Sequence, residues 1–75
     1  MKVGILDLTS KGQRAIDDYR MGRYSEANIS ELQFGLLAYA GNINGMNVFD
    51  SLKQYGTEGT AALEQLIEEG KLKWR

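Results

Sequence analysis

Carboxylates are the only side chains here that could serve as acids and bases near neutral pH, because the chain has no His and no Cys. Their chemistry would be a converging acid–base pair or an all-oxygen cation site. Neither arrangement is favoured by the spacing. Asp17 and Asp18 are adjacent, so on a helix they diverge by about 100°. Glu58, Glu64, Glu68 and Glu69 fall on the outward arc of one helix, opposite Leu63 and Ile67, which reads as a solvated face. The expectation is a protein that is not an enzyme, with no catalytic residue, no metal site and no cofactor.

The next candidate is Gly-Asn-Ile-Asn-Gly at residues 41–45. Glycine-rich loops can present backbone N–H groups to anions. This one lacks the Lys-Ser/Thr of a P-loop and does not join a strand to a helix as that motif requires. It reads as a turn-rich connector with Ile43 as a lone apolar peg. Cationic chemistry is carried by Lys2, Lys71, Lys73 and Arg75 near the two ends, and by Lys11, Arg14, Arg20 and Arg23 in the first third. Trp74 lies between Lys73 and Arg75, in phase with Leu72, and reads as core more than as a base-stacking platform.

The elements that must position these groups begin with residues 30–40. Ser30 and Gln33 have the spacing of a capping box, and Ile29 and Phe34 that of a hydrophobic staple. Gly41 is a natural left-handed stop. Apolar residues fall on both sides of this helix, so it is expected to be buried, with the other elements packed around it.

Residues 2–8 read as a strand, with Val3 and Ile5 on one face and Leu6 and Leu8 on the other. Ser10 and Gln13 suggest a second capping box for a helix over 10–21 whose buried face carries Gly12, Ala15, Ile16 and Tyr19, with Gly22 at its C-cap. Residues 23–28 read as a polar connector. Asn47 starts a helix over 47–55 with Val48, Phe49, Leu52 and Tyr55 on one face, and Gly56 breaks it. A further helix over 57–69 buries Ala62, Leu63, Leu66 and Ile67, and Gly70 stops it. Residues 71–75 alternate strictly, Leu72 and Trp74 against Lys71, Lys73 and Arg75, as a half-buried strand does.

Seventy-five residues make one domain, 1–75, of mostly α, α+β class. A chain this short hides roughly 60% of its unfolded surface, which leaves room for a homodimer. A hydrophobic content of 43% with 25% charged residues is globular composition, not that of a disordered chain. A net charge of −1 gives no global attraction for nucleic acid, so only local patches could bind it. No signal-peptide pattern and no apolar run of membrane-spanning length is visible, so the expectation is a soluble cytoplasmic protein without a membrane partner.

The order helix, short helix, glycine turn, helix, glycine, basic strand over residues 30–75 resembles the winged helix-turn-helix family. Asn47 to Tyr55, Gly56 and the run Thr-Glu-Gly-Thr-Ala-Ala-Leu-Glu-Gln-Leu-Ile-Glu-Glu-Gly-Lys-Leu carry the likeness; the latter is similar to a recognition helix leading into the first wing strand. Leu-Thr-Ser-Lys-Gly at residues 8–12 is similar to the exit from the second wing strand into a following helix, but here it comes first. The resemblance therefore implies a permuted arrangement, with the strand at 2–8 pairing with the strand at 71–75 and no covalent wing tip, or pairing between subunits.

The family implies a transcriptional regulator that binds double-stranded DNA, acting as a homodimer. Thr57, Thr60, Ala61 and Gln65 would then face base edges, and Lys71, Lys73 and Arg75, helped by Lys11 and Arg14, would face phosphates. Glu58 and Glu64 oppose that role, and the helix over 57–69 has no Lys or Arg. The alternative is the same fold used as a protein-interaction or dimerisation module that does not touch DNA.

Overall fold

Ser30 starts the helix around which the chain is built. Its hydroxyl accepts from the Gln33 backbone N–H at 3.1 Å, and the Gln33 side chain accepts from the Ser30 N–H at 3.0 Å. This reciprocal cap satisfies two donors that a helix start otherwise leaves bare. The structure, a computed structural model, describes residues 4–75, apart from the side chains of residues 49–52 and 54. Lys2, Val3, Phe49 and Leu52, which carried part of the sequence reading, thus lie wholly or in their side chains outside the described residues.

The elements are β1 (Ile5–Leu8), α1 (Ser10–Arg20), α2 (Tyr24–Ala27), α3 (Glu31–Asn42), β2 (Met46–Asn47), α4 (Val48–Glu68) and β3 (Leu72–Trp74). The class is α+β and mostly α, with four helices and a small antiparallel sheet. Gln33, Leu36, Leu37 and Ala40 of α3 are buried. Leu32, Phe34 and Tyr39 of α3 are half-buried against the core. α3 touches α1, α4, β1 and β2, which is the organising role its composition predicts.

The helices expected over 47–55 and 57–69 together span α4, Val48–Glu68, with a kink at Gly56 between them; Asn47 belongs to β2 instead of starting the helix. Gly56 sits at φ 64° and ψ −147°, a conformation that only glycine adopts without strain. Beyond it, Leu63 and Leu66 are fully buried, and Gly70 at φ 77° turns the chain into β3.

Sheet order is β2-β1-β3, with the N-terminal strand in the centre. β1 pairs antiparallel with β3, placing Leu6 opposite Trp74, Asp7 opposite Lys73 and Leu8 opposite Leu72. The terminal strands therefore pair within one chain. Residues directly opposite share a face. Leu6, Leu8, Leu72 and Trp74 point inward, joined by Met46, which lies opposite Leu6 on β2. Ile5, Asp7, Lys73 and Arg75 take the outer face. Trp74 is half-buried against the core, in line with the structural role read from its phase.

Several boundaries differ from the sequence reading for local reasons. α1 is capped by Thr9, not by Ser10: the Thr9 hydroxyl accepts from the Gly12 N–H at 3.0 Å and donates to the Gly70 carbonyl at 2.6 Å. α3 runs through Gly41 to Asn42, and the left-handed conformations fall later, at Asn44 (φ 55°) and Gly45 (φ 124°). The segment read as a polar connector forms the single turn α2, which buries Ala27 and ends at left-handed Asn28. Tyr24 of that turn stays 60% exposed and packs edge-on against Tyr19, itself stacked on Phe34 at 4.4 Å. Met46 and Asn47 form a strand that the sequence does not announce, since two residues are too few to show a period.

Candidate nucleic-acid interface

The second half of α4, residues 57–68, is positioned from two sides. Leu63 and Leu66 anchor it in the core, and Gln33 of α3 donates from Nε2 to Oε1 of Gln65 at 3.3 Å. Thr57, Ala61 and Gln65 are exposed, as contact with bases requires, whereas Thr60 is half-buried with its hydroxyl 3.4 Å from the Gly56 carbonyl. Glu58, Glu64 and Glu68 are exposed on the same helix. Its outer arc is therefore acidic at neutral pH.

Among the described residues, the candidate cations Lys71, Arg75, Lys11 and Arg14 are engaged elsewhere. Lys71 is 5% exposed, which corrects its reading as one of three side chains on a solvated ridge. It lies one residue before β3, where the turn at Gly70 directs it inward. Its backbone N–H bonds the Leu66 carbonyl at 2.9 Å, and its Nζ reaches Glu69 Oε1 at 3.0 Å and the Asn28 carbonyl at 3.4 Å. A buried ammonium held in this way ties the end of α4 to α2 and cannot reach a phosphate.

Arg75 is also engaged. It bonds Asp7 from Nε at 3.1 Å and from Nη2 at 2.7 Å, and Nη2 further bonds the Asn44 carbonyl at 2.7 Å. The hydrogen bond from Arg75 holds the Asp7 carboxyl below its ordinary pKa, with the charges of Arg75 and Lys73 adding to the effect, and the same pair raises the pKa of Arg75. Lys73 remains exposed on β3.

Lys11 and Arg14 line a groove of about 300 Å³ together with Lys71, Asp18, Glu26 and Glu69. Three cations and three carboxylates compensate there, so this face offers no net field to a phosphate backbone. The structure thus distributes the candidate residues over three places. Thr57, Ala61 and Gln65 share the arc; Lys11, Arg14 and Lys71 share the compensated groove; Lys73 and Arg75 border a different cleft beside the β1–β3 ladder. Lys53, exposed on the half of α4 before Gly56, is a cation closer to the arc in sequence that the charge reading passed over. Its signal was a single lysine between Leu52 and Gln54 in the helix expected over 47–55.

The carboxylates likewise separate. Asp17 accepts from Gln13 Nε2 at 3.1 Å, and Asp18 faces Arg23 Nε at 3.6 Å, so the adjacent pair diverges to different partners. Among the described residues no group of three carboxylates could hold a metal ion, and no helix is long and apolar enough to cross a membrane. The chain matches no protein-family model, no curated protein and no solved structure.

Proposed function

We propose that this chain is a winged helix-turn-helix domain whose second wing strand has been permuted to the N-terminus, and that it binds duplex DNA as a small dimeric regulator in the cytoplasm. The observation that carries the reading is the order β2-β1-β3 combined with the path α3, β2, helix, Gly56 break, helix, β3. β1 occupies the central place that a second wing strand would take, and the helix over 57–68 takes the place of the recognition helix. Its first turns are neutral apart from Glu58. With Gln65 Oε1 occupied by Gln33, the Gln65 amide group is left as a donor, suited to acceptors such as guanine O6 or N7 in the major groove.

Lys53, one helical turn before Thr57, and Lys73, exposed on the strand that follows the helix, are the cations this reading assigns to flank it. Two phosphate contacts give a log–log salt slope of about 2 per protomer, from roughly 0.9 per contact, and non-specific affinity no tighter than about 10⁻⁵ M at physiological salt. The test is a fluorescence-anisotropy titration of labelled duplex at several salt concentrations. Lys53→Glu and Lys73→Glu should weaken binding to all sequences, whereas Glu64→Gln should strengthen it. An absence of binding at low salt, with no gain from Glu64→Gln, removes the DNA reading.

A second reading rests on a specific observation, the exposed Glu58, Glu64 and Glu68 beside a buried Lys71 and a paired Arg75. An acidic helix repels phosphate and complements a basic protein surface. In that case the same fold serves as a protein-interaction module. Failure of the DNA titration, with association that is lost on neutralising Glu64 and Glu68, would select it.

A further inference from the structure

A cleft of about 580 Å³ opens beside the β1–β3 ladder, between it, α1 and the C-terminal end of α3. Its volume lies within the range of small-molecule sites. Most of the lining is polar; its accessible apolar part is the half-buried Leu8 and Ala38, with Ile16 and Ala40 buried beneath them, and the rim carries Arg20 and Lys73. Among the described residues, neither the Arg20 nor the Lys73 side chain makes a salt bridge or hydrogen bond; Arg20 lies over the Phe34 ring, 5.8 Å from its centroid, and the Lys73 charge acts on Asp7 opposite it.

The obvious reason for cations at this place is the carbonyl end of α3. That demand is already met. The loop after the helix supplies N–H donors to Tyr39, Ala40 and Gly41 carbonyls, from Ile43 at 3.1 Å, Gly45 at 3.1 Å and Asn44 at 3.4 Å. Arg75 takes the Asn44 carbonyl and neutralises Asp7, the one carboxylate in the lining. Arg20 is therefore left without a carboxylate, and Lys73 with only a share of the Asp7 charge that Arg75 already holds, both at the rim of the cleft. Gly45 makes the packing at the rim feasible, because a Cβ there would lie 2.5 Å from Arg75 Nη2 and 2.9 Å from Ile5.

We propose that this cleft binds a small organic anion, a carboxylate or phosphate monoester head on a compact apolar body. The head lies between Arg20 and Lys73, where two cationic donors meet it, and the body covers Ala38 and Leu8. None of the described residues of α4 lines the cleft; Lys73 alone is shared with the proposed DNA contacts, and Arg20→Gln therefore tests the cleft independently of that reading.

The experiment is a titration of the full 75-residue chain with phenyl phosphate, with benzoate and with uncharged benzyl alcohol, followed by backbone amide NMR. Both anions should give saturable shifts centred on Gly41, Asn44, Gly45 and Lys73, and benzyl alcohol should give none. Lys73→Gln and Arg20→Gln, both at exposed positions, should each weaken binding about tenfold, the size of one charged hydrogen bond. Lys11→Gln, in the other groove, should leave it unchanged. Shifts that never saturate overturn the proposal, and so does Lys73→Gln binding as the parent does. Inorganic phosphate binding as tightly as phenyl phosphate overturns the role given to Ala38 and Leu8.

Discussion

Arg75 grips Asp7 with two hydrogen bonds, at 3.1 and 2.7 Å, although the two residues are 68 positions apart. The contact runs diagonally across the β1–β3 ladder, in which Asp7 stands directly opposite Lys73. A planar guanidinium meeting both oxygens of one carboxylate is the geometry in which Arg exceeds Lys. It fastens the last residue of the chain to the central strand and, through the Asn44 carbonyl, to the loop after α3.

This pair makes stability depend on pH on the acid side. The folded pKa of Asp7 is depressed below 3.8, so its contribution is complete above that ordinary value and is lost as pH falls through the folded one. Urea midpoints of the parent and Asp7→Asn should differ at neutral pH and converge once Asp7 is protonated. The difference should also narrow in high salt, since Arg75 and Asp7 keep 55% and 24% side-chain exposure. A gap that stays constant from neutral to strongly acidic pH would assign the effect to something other than this charge.

Leu36 is fully buried in α3, where that helix meets the rest of the core. Leu36→Ala should cost about 2–5 kcal/mol, a large share of the roughly 5–15 kcal/mol of a whole domain. Denaturant melts with an unchanged slope would measure it. A loss below half of that lower bound would mean that the surrounding residues collapse into the space.

Gly12 lies on the buried face of α1, where a Cβ would collide with the Lys71 carbonyl and the Leu8 side chain. Alanine is the better helix former by about 1 kcal/mol. The clash with backbone should reverse that order, so Gly12→Ala should destabilise by about 1–3 kcal/mol. Thermal unfolding of the variant decides the sign, and a rise in midpoint would show that α1 can move away from the Gly70 turn.

Gln33 combines the α3 cap with the bond to Gln65, and it is 5% exposed. Gln33→Ala should cost about 1–2 kcal/mol, more than an exposed capping glutamine, because it also leaves a partly buried acceptor unpaired. A double-mutant cycle with Gln65→Ala should return a coupling of at least about 0.5 kcal/mol. Strictly additive losses would show that the two amides act independently.

Local signals in the sequence located most elements because each depends on residues a few positions apart. Ser30 and Gln33 announced the start of α3, Gly56 and Gly70 its successors' breaks, and the alternation through Leu72 and Trp74 the strand that closes against β1. The facing of Leu6 toward Trp74 follows from the same period of two. Charge assignment did not follow. Alternation placed Lys71, Lys73 and Arg75 on one ridge, but alternation holds only inside the ladder, and Lys71 precedes it. Tertiary structure alone decided that Lys71 would meet Asn28 and Glu69, that Arg75 would be held by Asp7 and Asn44, and that Lys73 would share a cleft with Arg20. Most of these partners lie far away in the chain. No spacing rule encodes them, because they are chosen by how the helices stack on the sheet.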